Sequence, residues 1–224
     1  MSDVQPPARR ARPGKHELRR EFVTHHQRER ILGAVPGVVA ERGYSATSVA
    51  DIVKAARIAR AKFYENFANK EECFLAAYDR AVDEAIHRVQ EACGETDSGS
   101  VVRLVGGLRA LLEFLTEEPA TARMCIVEAP SAGPVGTERY DQAVRRFVPL
   151  LAPTREVAED ATDLPPTVEE AVIGGTFWLL YDALITGQPE RLTELLPQLV
   201  EFSLLPFLGA QAASDAASMV KAAD

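Results

Sequence analysis

Two helix-start signals bracket the stretch from Ser48 to Asn69, and they restrict the fold more than any other feature of this 224-residue chain. Ser48 precedes Asp51 with capping-box spacing, and Asn69 precedes Glu72 in the same way. A short polar side chain there accepts from the open N–H groups of a first helical turn, and the acid beyond it can reach back. A helix must begin after each signal. The space between holds a short helix with Val49, Ile52 and Val53 as its apolar stripe. A tight turn near Ala56–Ile58 and a second short helix, about 59 to 65, complete it.

The flanking sequence is helical in period as well. A first helix is expected from about Thr24, where Thr24 and Gln27 fit a capping box. Ile31, Leu32, Val35, Val38 and Val39 recur at helical spacing, and Gly43 is a natural stop. Pro36, without an N–H, should kink this helix. A long helix is expected from Asn69 to about Cys93, with Phe74, Leu75, Ala77, Tyr78, Val82, Ile86 and Val89 as its apolar positions. Further helices are expected at about 100–116, 119–129, 135–151, 166–186 and 189–208, the last bent at Pro197. The breaker-rich or acidic runs CGETDSGS, APSAGPVGT and APTREVAEDATDLPP read as loops. No strand pattern and no internal repeat is present, so the chain is expected to be all-α.

Two short helices around a tight turn, inside a three-helix unit, form a helix-turn-helix. Its second helix enters the DNA major groove. The expected organisation is a disordered basic N-terminal arm over 1–20 and a helix-turn-helix DNA-binding domain over 21–68. A larger helical ligand-binding and dimerisation domain over 69–210 and a flexible tail over 211–224 follow.

Charge agrees with that division. Residues 1–70 hold 14 Lys/Arg against 7 Asp/Glu, while residues 71–224 hold 11 against 26, for a net charge of -8. A basic head on an acidic body suits a polyanion partner for the head alone. Cys73, Cys93 and Cys125 are far apart and odd in number, which suggests reduced thiols in the cytoplasm and no disulfide framework or zinc site. The longest apolar run, 171–185, contains Asp182 and is shorter than the ~20 residues that span a bilayer. It reads as a buried helix. No metalloprotease, phosphate-loop, di-iron or nucleophile-elbow motif is present, so no enzyme, metal or cofactor is expected.

Within ARIARAKFYENFANKEECF, Phe63 and Phe67 share a helical face and should pack on Ile31, Val35, Val49 and Ile52. Arg60, Lys62 and Tyr64 then point away, toward groove and phosphates. Lys70 and the N–H groups at the start of the long helix could also hold a phosphate. Arg9, Arg10, Arg12 and Lys15 could reach a minor groove or stay solvated. His25, His26 and His87 read as surface residues.

The run from Gln27 to Asp79 resembles the DNA-binding domain of the TetR family of transcriptional regulators. RGYSATSVADIV is similar to the family's first-helix end and second-helix start, and KFYENFANKEECF to its aromatic recognition helix and the next helix start. Residues 95–210 are similar only in helix pattern. The resemblance implies an all-α homodimer that binds a palindromic operator, usually as a repressor released by a small molecule. It implies phosphate contact from Thr47 or Ser48, base contact from Arg60, Ala61 and Lys62, and phosphate contact from Tyr64 and Lys70. The family's last two helices usually form the dimer interface. Three departures stand out: Arg57 where the turn commonly has Gly, Ala59 where the recognition helix often opens on Ser or Thr, and Pro36.

The expected effector pocket centres on Phe114, Met124, Phe147, Phe177 and Tyr181, with Leu111, Leu115 and Val127 as further apolar lining. Arg123, Glu128 and Tyr140 are its other polar candidates. These residues would suit a mostly apolar small molecule, and an ordinary core equally. Trp178 is expected near that space. Val172, Gly175, Leu179 and Leu199 are expected to supply dimer surface. The competing readings are an all-α carrier or enzyme with an incidental basic head, and a nucleoid-type DNA-binding protein without an inducer.

Overall fold

The computed structural model describes residues 15–94, 99–158, 164–165, 167–187 and 191–223. Every regular element among them is helical. The helices are α1 (Lys15–Arg42), α2 (Val49–Ala56), α3 (Arg60–Tyr64), α4 (Lys70–Ala92) and α5 (Ser100–Glu117). They continue as α6 (Pro119–Arg123), α7 (Pro134–Arg145), α8 (Ala152–Val157), α9 (Val168–Ile185) and α10 (Leu196–Ala223).

Several boundaries differ from the sequence expectation. Helix α1 starts at Lys15, so Thr24 lies inside it and not at its start. Lys15, Glu17, Leu18, Arg19 and Arg20 are all good helix formers, and they carry the helix back into the supposed arm. Arg9, Arg10 and Arg12 lie outside the described residues. Pro36 is accommodated within α1, which runs on to Arg42. Helix α8 occupies a segment expected to be loop. Pro197 falls in the first turn of α10, where a missing N–H costs nothing. The backbone break is at Gly209 instead, with φ 77° and ψ 170°. Beyond it the expected flexible tail is helical to Ala223. It is rich in alanine, the best helix former, and Ala213, Ala216, Ala217 and Val220 are buried.

The head is built on one apolar cluster. Ile31, Leu32, Val35 and Val39 of α1 meet Ile52 and Ala56 of α2, Phe63 and Phe67, and Phe74 of α4. The Phe63 and Phe67 ring centroids are 5.7 Å apart. Burying a side chain of this size contributes roughly 1.5–3 kcal/mol. Helix α1 ends as expected at Gly43, whose φ of 77° suits glycine, with its N–H donating to Val39 O at 2.8 Å.

The body packs around α4. Gly106 and Gly107 let α5 approach it closely: a Cβ on Gly106 would lie 2.6 Å from Ala92 O, and one on Gly107 would lie 3.1 Å from Cys93 Sγ. Ion pairs fasten α4 on several sides. Arg80 meets Glu29 of α1 at 2.9 Å, Arg139 of α7 meets Asp79 at 2.7 Å, and Arg88 meets Glu117 of α5 at 2.8 Å. These pairs are exposed and worth little singly; their role is to set where α4 lies. No helix among the described residues is long and apolar enough to cross a membrane.

Candidate nucleic-acid interface and effector cavity

The Ser48 signal folds as a complete capping box. Ser48 N–H donates to Asp51 Oδ2 at 3.0 Å, and Asp51 N–H donates to Ser48 Oγ at 3.3 Å. The Ser48 hydroxyl also donates to Asp51 Oδ2 at 2.6 Å, which holds the Asp51 carboxyl below its ordinary pKa. Asn69 Oδ1 accepts from Glu72 N–H at 2.8 Å, while Glu72 reaches one residue further back, to Ala68 N–H at 2.6 Å.

The turn between α2 and α3 runs through Arg57, whose φ of 53° and ψ of 49° place it in the left-handed region. It is the one non-glycine residue with positive φ among the described residues. Arg30 of α1 braces it by donating through Nη2 to Ala56 O at 2.8 Å and to Arg57 O at 2.9 Å. Sequence reading missed this brace, since a surface arginine on α1 gives no sign of its partner. Ala59 stands at the N-cap of α3 and makes no side-chain cap bond.

Helix α3 turns Phe63 into the core and leaves Arg60, Ala61 and Tyr64 exposed, with Lys62 half-buried. The Arg60 guanidinium lies over the Tyr64 ring, 5.6 Å from its centroid, and donates to the Tyr64 hydroxyl at 3.3 Å. Lys62 Nζ donates to both Glu65 carboxylate oxygens, at 2.9 and 2.7 Å. Two expected phosphate ligands are differently engaged. Thr47 is buried, with its hydroxyl donating to Gly43 O at 2.8 Å. Lys70 Nζ donates to Tyr44 O at 2.9 Å and sits 4.2 Å from the Tyr44 ring centroid. Ser48 is exposed, though its hydroxyl is already in the capping box.

In the body, Phe114, Phe147 and Phe177 line one apolar cavity of about 30 Å³, together with Tyr78, Cys125 and Tyr140. The Phe147 and Phe177 ring centroids are 5.2 Å apart, and Tyr140 meets Phe177 edge-on at 6.4 Å. Burial pushes the Cys125 thiol up to about 12 and raises the Tyr78 and Tyr140 hydroxyls. Met124 is fully buried but is not in the cavity wall, and neither is Tyr181. Tyr181 stacks on Trp178 at 5.6 Å, and Trp178 is 64% exposed, outside the core where it was expected. Val172 and Leu199 are buried within the protomer, so they offer no dimer surface.

A single turn of π-helix, Met124–Glu128, links this cavity to the head. Cys125 and Ile126 line the cavity. Glu128, at the end of the same turn, is buried and accepts from Tyr44 N–H through Oε2 at 2.8 Å. A π-bulge turns side chains out of α-helical register, which is how adjacent residues come to face the cavity and the head. Nothing local in the sequence MCIVE marks such a turn.

A helix-turn-helix head with an outward cationic helix is thus carried on a helical body with its own apolar cavity. Residues 36–77, which span α2 and α3, match the family model "Bacterial regulatory proteins, tetR family". The chain is 28% identical over 98 residues to the HTH-type transcriptional activator FasR of Mycolicibacterium smegmatis, a match that covers 44% of each chain. The fold is similar to that of the fatty acid degradation regulator FadR of Bacillus halodurans, with a TM-score of 0.72 and 17% identity. That match covers 80% of this chain and 94% of the other. It is also similar to FadR of Bacillus subtilis in complex with stearoyl-CoA, with a TM-score of 0.67 and 19% identity, over 81% and 98% of the two chains.

Proposed function

We propose that this protein is a homodimeric transcriptional regulator that binds a palindromic operator through α3 and leaves it when a small, largely apolar molecule enters the body. The carrying observation is the outward face of α3, where Arg60, Ala61, Lys62 and Tyr64 stand clear of the core on a basic head. Arg60 and Lys62 supply phosphate neutralisation and base-edge donors. Tyr64 carries a hydroxyl for phosphate, already oriented by Arg60. Ser48 and Lys70 join the phosphate contacts once released from their present partners. The protein would act where the chromosome is, in the cytoplasm.

The aromatic cavity supports an apolar effector, and its about 30 Å³ must expand to admit one. The stearoyl-CoA bound by the Bacillus subtilis protein is a parallel for a long apolar chain. Repression is the leading sense of regulation. The FasR similarity supports activation as a second, since that protein is named an activator.

Footprinting followed by titration tests the DNA reading. Lys62→Ala should cost about 1–3 kcal/mol on the operator and relax specificity at one position. Glu65→Gln frees Lys62 and should tighten binding to operator and random DNA alike, with a steeper salt dependence. Equal losses for Lys62→Ala on operator and random DNA would remove Lys62 from base reading. In vitro transcription from the footprinted promoter assigns the sign of regulation.

A further inference from the structure

We propose that a second hollow, beside the apolar cavity, is an anion-recognition site in which Arg103 and Arg146 hold the carboxylate or phosphate head of an amphiphilic organic acid. The hollow has a volume of about 230 Å³ and lies between the end of α4, the start of α5 and the segment 146–153. Its apolar walls are Ile86, Val89, Phe147 and Leu150, and its polar groups include Gln90, Arg103 and Arg146. None of the described lining residues is acidic.

Arg103 carries the argument. Its Nε is buried and has no hydrogen-bond partner, and the guanidinium makes no ion pair among the described residues. Elsewhere in the body, Arg88, Arg139 and Arg155 each meet a carboxylate. A buried guanidinium N–H without a partner is costly, and an oxyanion fits its fork-shaped donors. Arg146 uses Nη1 on Asp83 at 2.8 Å, which leaves its other donors free to turn inward.

The apolar part of the ligand has an evident route. Phe147 is a wall of both the hollow and the aromatic cavity. Displacing that one ring joins them into an anionic mouth with an apolar end among Phe114 and Phe177. This inference deepens the effector reading above and rests on it for its regulatory meaning.

Cys93 provides a readout in the unaltered protein. It lines the hollow and is half-buried; burial raises its thiol as well, but pushes Cys73 and Cys125 up to about 12. Neutral iodoacetamide at mildly alkaline pH should therefore label Cys93 first. The full chain is titrated with octanoate, octyl phosphate and 1-octanol, following heat of binding and Cys93 labelling. At least one anion should bind tenfold or more tightly than octanol and slow Cys93 labelling severalfold. The better anion identifies the head group. Arg103→Met should lose at least tenfold for the anion and leave octanol unchanged. Octanol binding as well as both anions, or anion binding that leaves Cys93 labelling unchanged, would overturn the site, with or without a folded Arg103→Met variant. Anion binding that protects Cys93 yet leaves operator affinity unchanged would instead overturn the effector reading and leave the site standing.

Discussion

Tyr44 N–H donates to Glu128 Oε2 at 2.8 Å, across 84 positions of sequence, and so ties the end of α1 to the π-helical turn of the body. The same Tyr44 accepts from Lys70 through its carbonyl and packs its ring on Phe74, with centroids 4.7 Å apart. Gly43 lies against the same carboxylate: a Cβ there would be 3.4 Å from Glu128 Oε2. One body carboxylate thus holds the loop that leads into the helix-turn-helix. Whatever moves Cys125 and Ile126 in the cavity wall moves the turn that carries Glu128.

Glu128→Ala should lower stability by about 1–3 kcal/mol, since it leaves a part-buried N–H without its acceptor. It should also weaken operator binding, because the entry to α2 loses its anchor. Arg123→Ala is the control. Its contact with Glu128 is longer, at 3.7 Å, and Arg123 is 40% exposed, so the loss should stay under about 1 kcal/mol. Urea denaturation and operator titration of both variants check this; equal small effects would remove Glu128 from the head–body link.

Arg57→Gly should stabilise the protein by up to about 1 kcal/mol. A non-glycine residue in the left-handed region costs about 1–2 kcal/mol, and glycine recovers most of that while adding unfolded-state entropy. The Arg30 brace survives, because it uses the carbonyls of residues 56 and 57. A falling urea midpoint would mean that the Arg57 side chain contributes something its exposed position does not suggest.

The head was legible because its signals are local. Caps at Ser48 and Asn69, the Gly43 stop and the Phe63/Phe67 spacing each act within a turn or two of chain. Arg57 stood out by its departure from the resembled family's usual turn glycine, not by a local signal. The body's site was only partly so. Aromatic content pointed to Phe114, Phe147 and Phe177, but Met124, on the π-helical turn, and Tyr181, on α9 beside Phe177, are not in the cavity wall. Helical period alone does not say which apolar face is inward when α9 is apolar all round. Contacts distant in sequence, such as Arg30 with the turn and Glu128 with Tyr44, left no local trace.

Acid should weaken the α8–α9 junction. Arg155 donates through Nε and Nη2 to the buried Glu169 carboxylate, and through Nη2 also to Pro165 O at 2.9 Å. These bonds hold the Glu169 pKa below its ordinary value. A carboxyl with a lower pKa folded than unfolded adds stability above its unfolded pKa, and that stability is lost as pH falls through the folded pKa. Stability of wild type should therefore drop on acidification below the usual glutamate range more steeply than that of Glu169→Gln. Parallel pH curves for the two proteins would exclude this contribution.

The exposed face of α9 and α10 should be the dimer surface. Trp178 and Ile185 of α9 are 64% and 48% exposed, and Phe202 and Leu205 of α10 are 38% and 47% exposed. The Phe202 ring lies across Gly175, where a Cβ would be 2.7 Å from its Cζ, so the two helices present one continuous patch. A lone protomer would leave this aromatic surface in water, and a self-complementary two-fold contact removes it. Trp178→Glu and Leu205→Glu should each give folded monomers, because neither side chain is in the protomer core. Each should also weaken operator binding well over tenfold, since two half-sites can no longer be engaged together. In wild type, Trp178 emission should shift to the blue as concentration rises through the dimer dissociation constant. Sedimentation checks the assembly: if both glutamate variants sediment as dimers, the interface lies elsewhere.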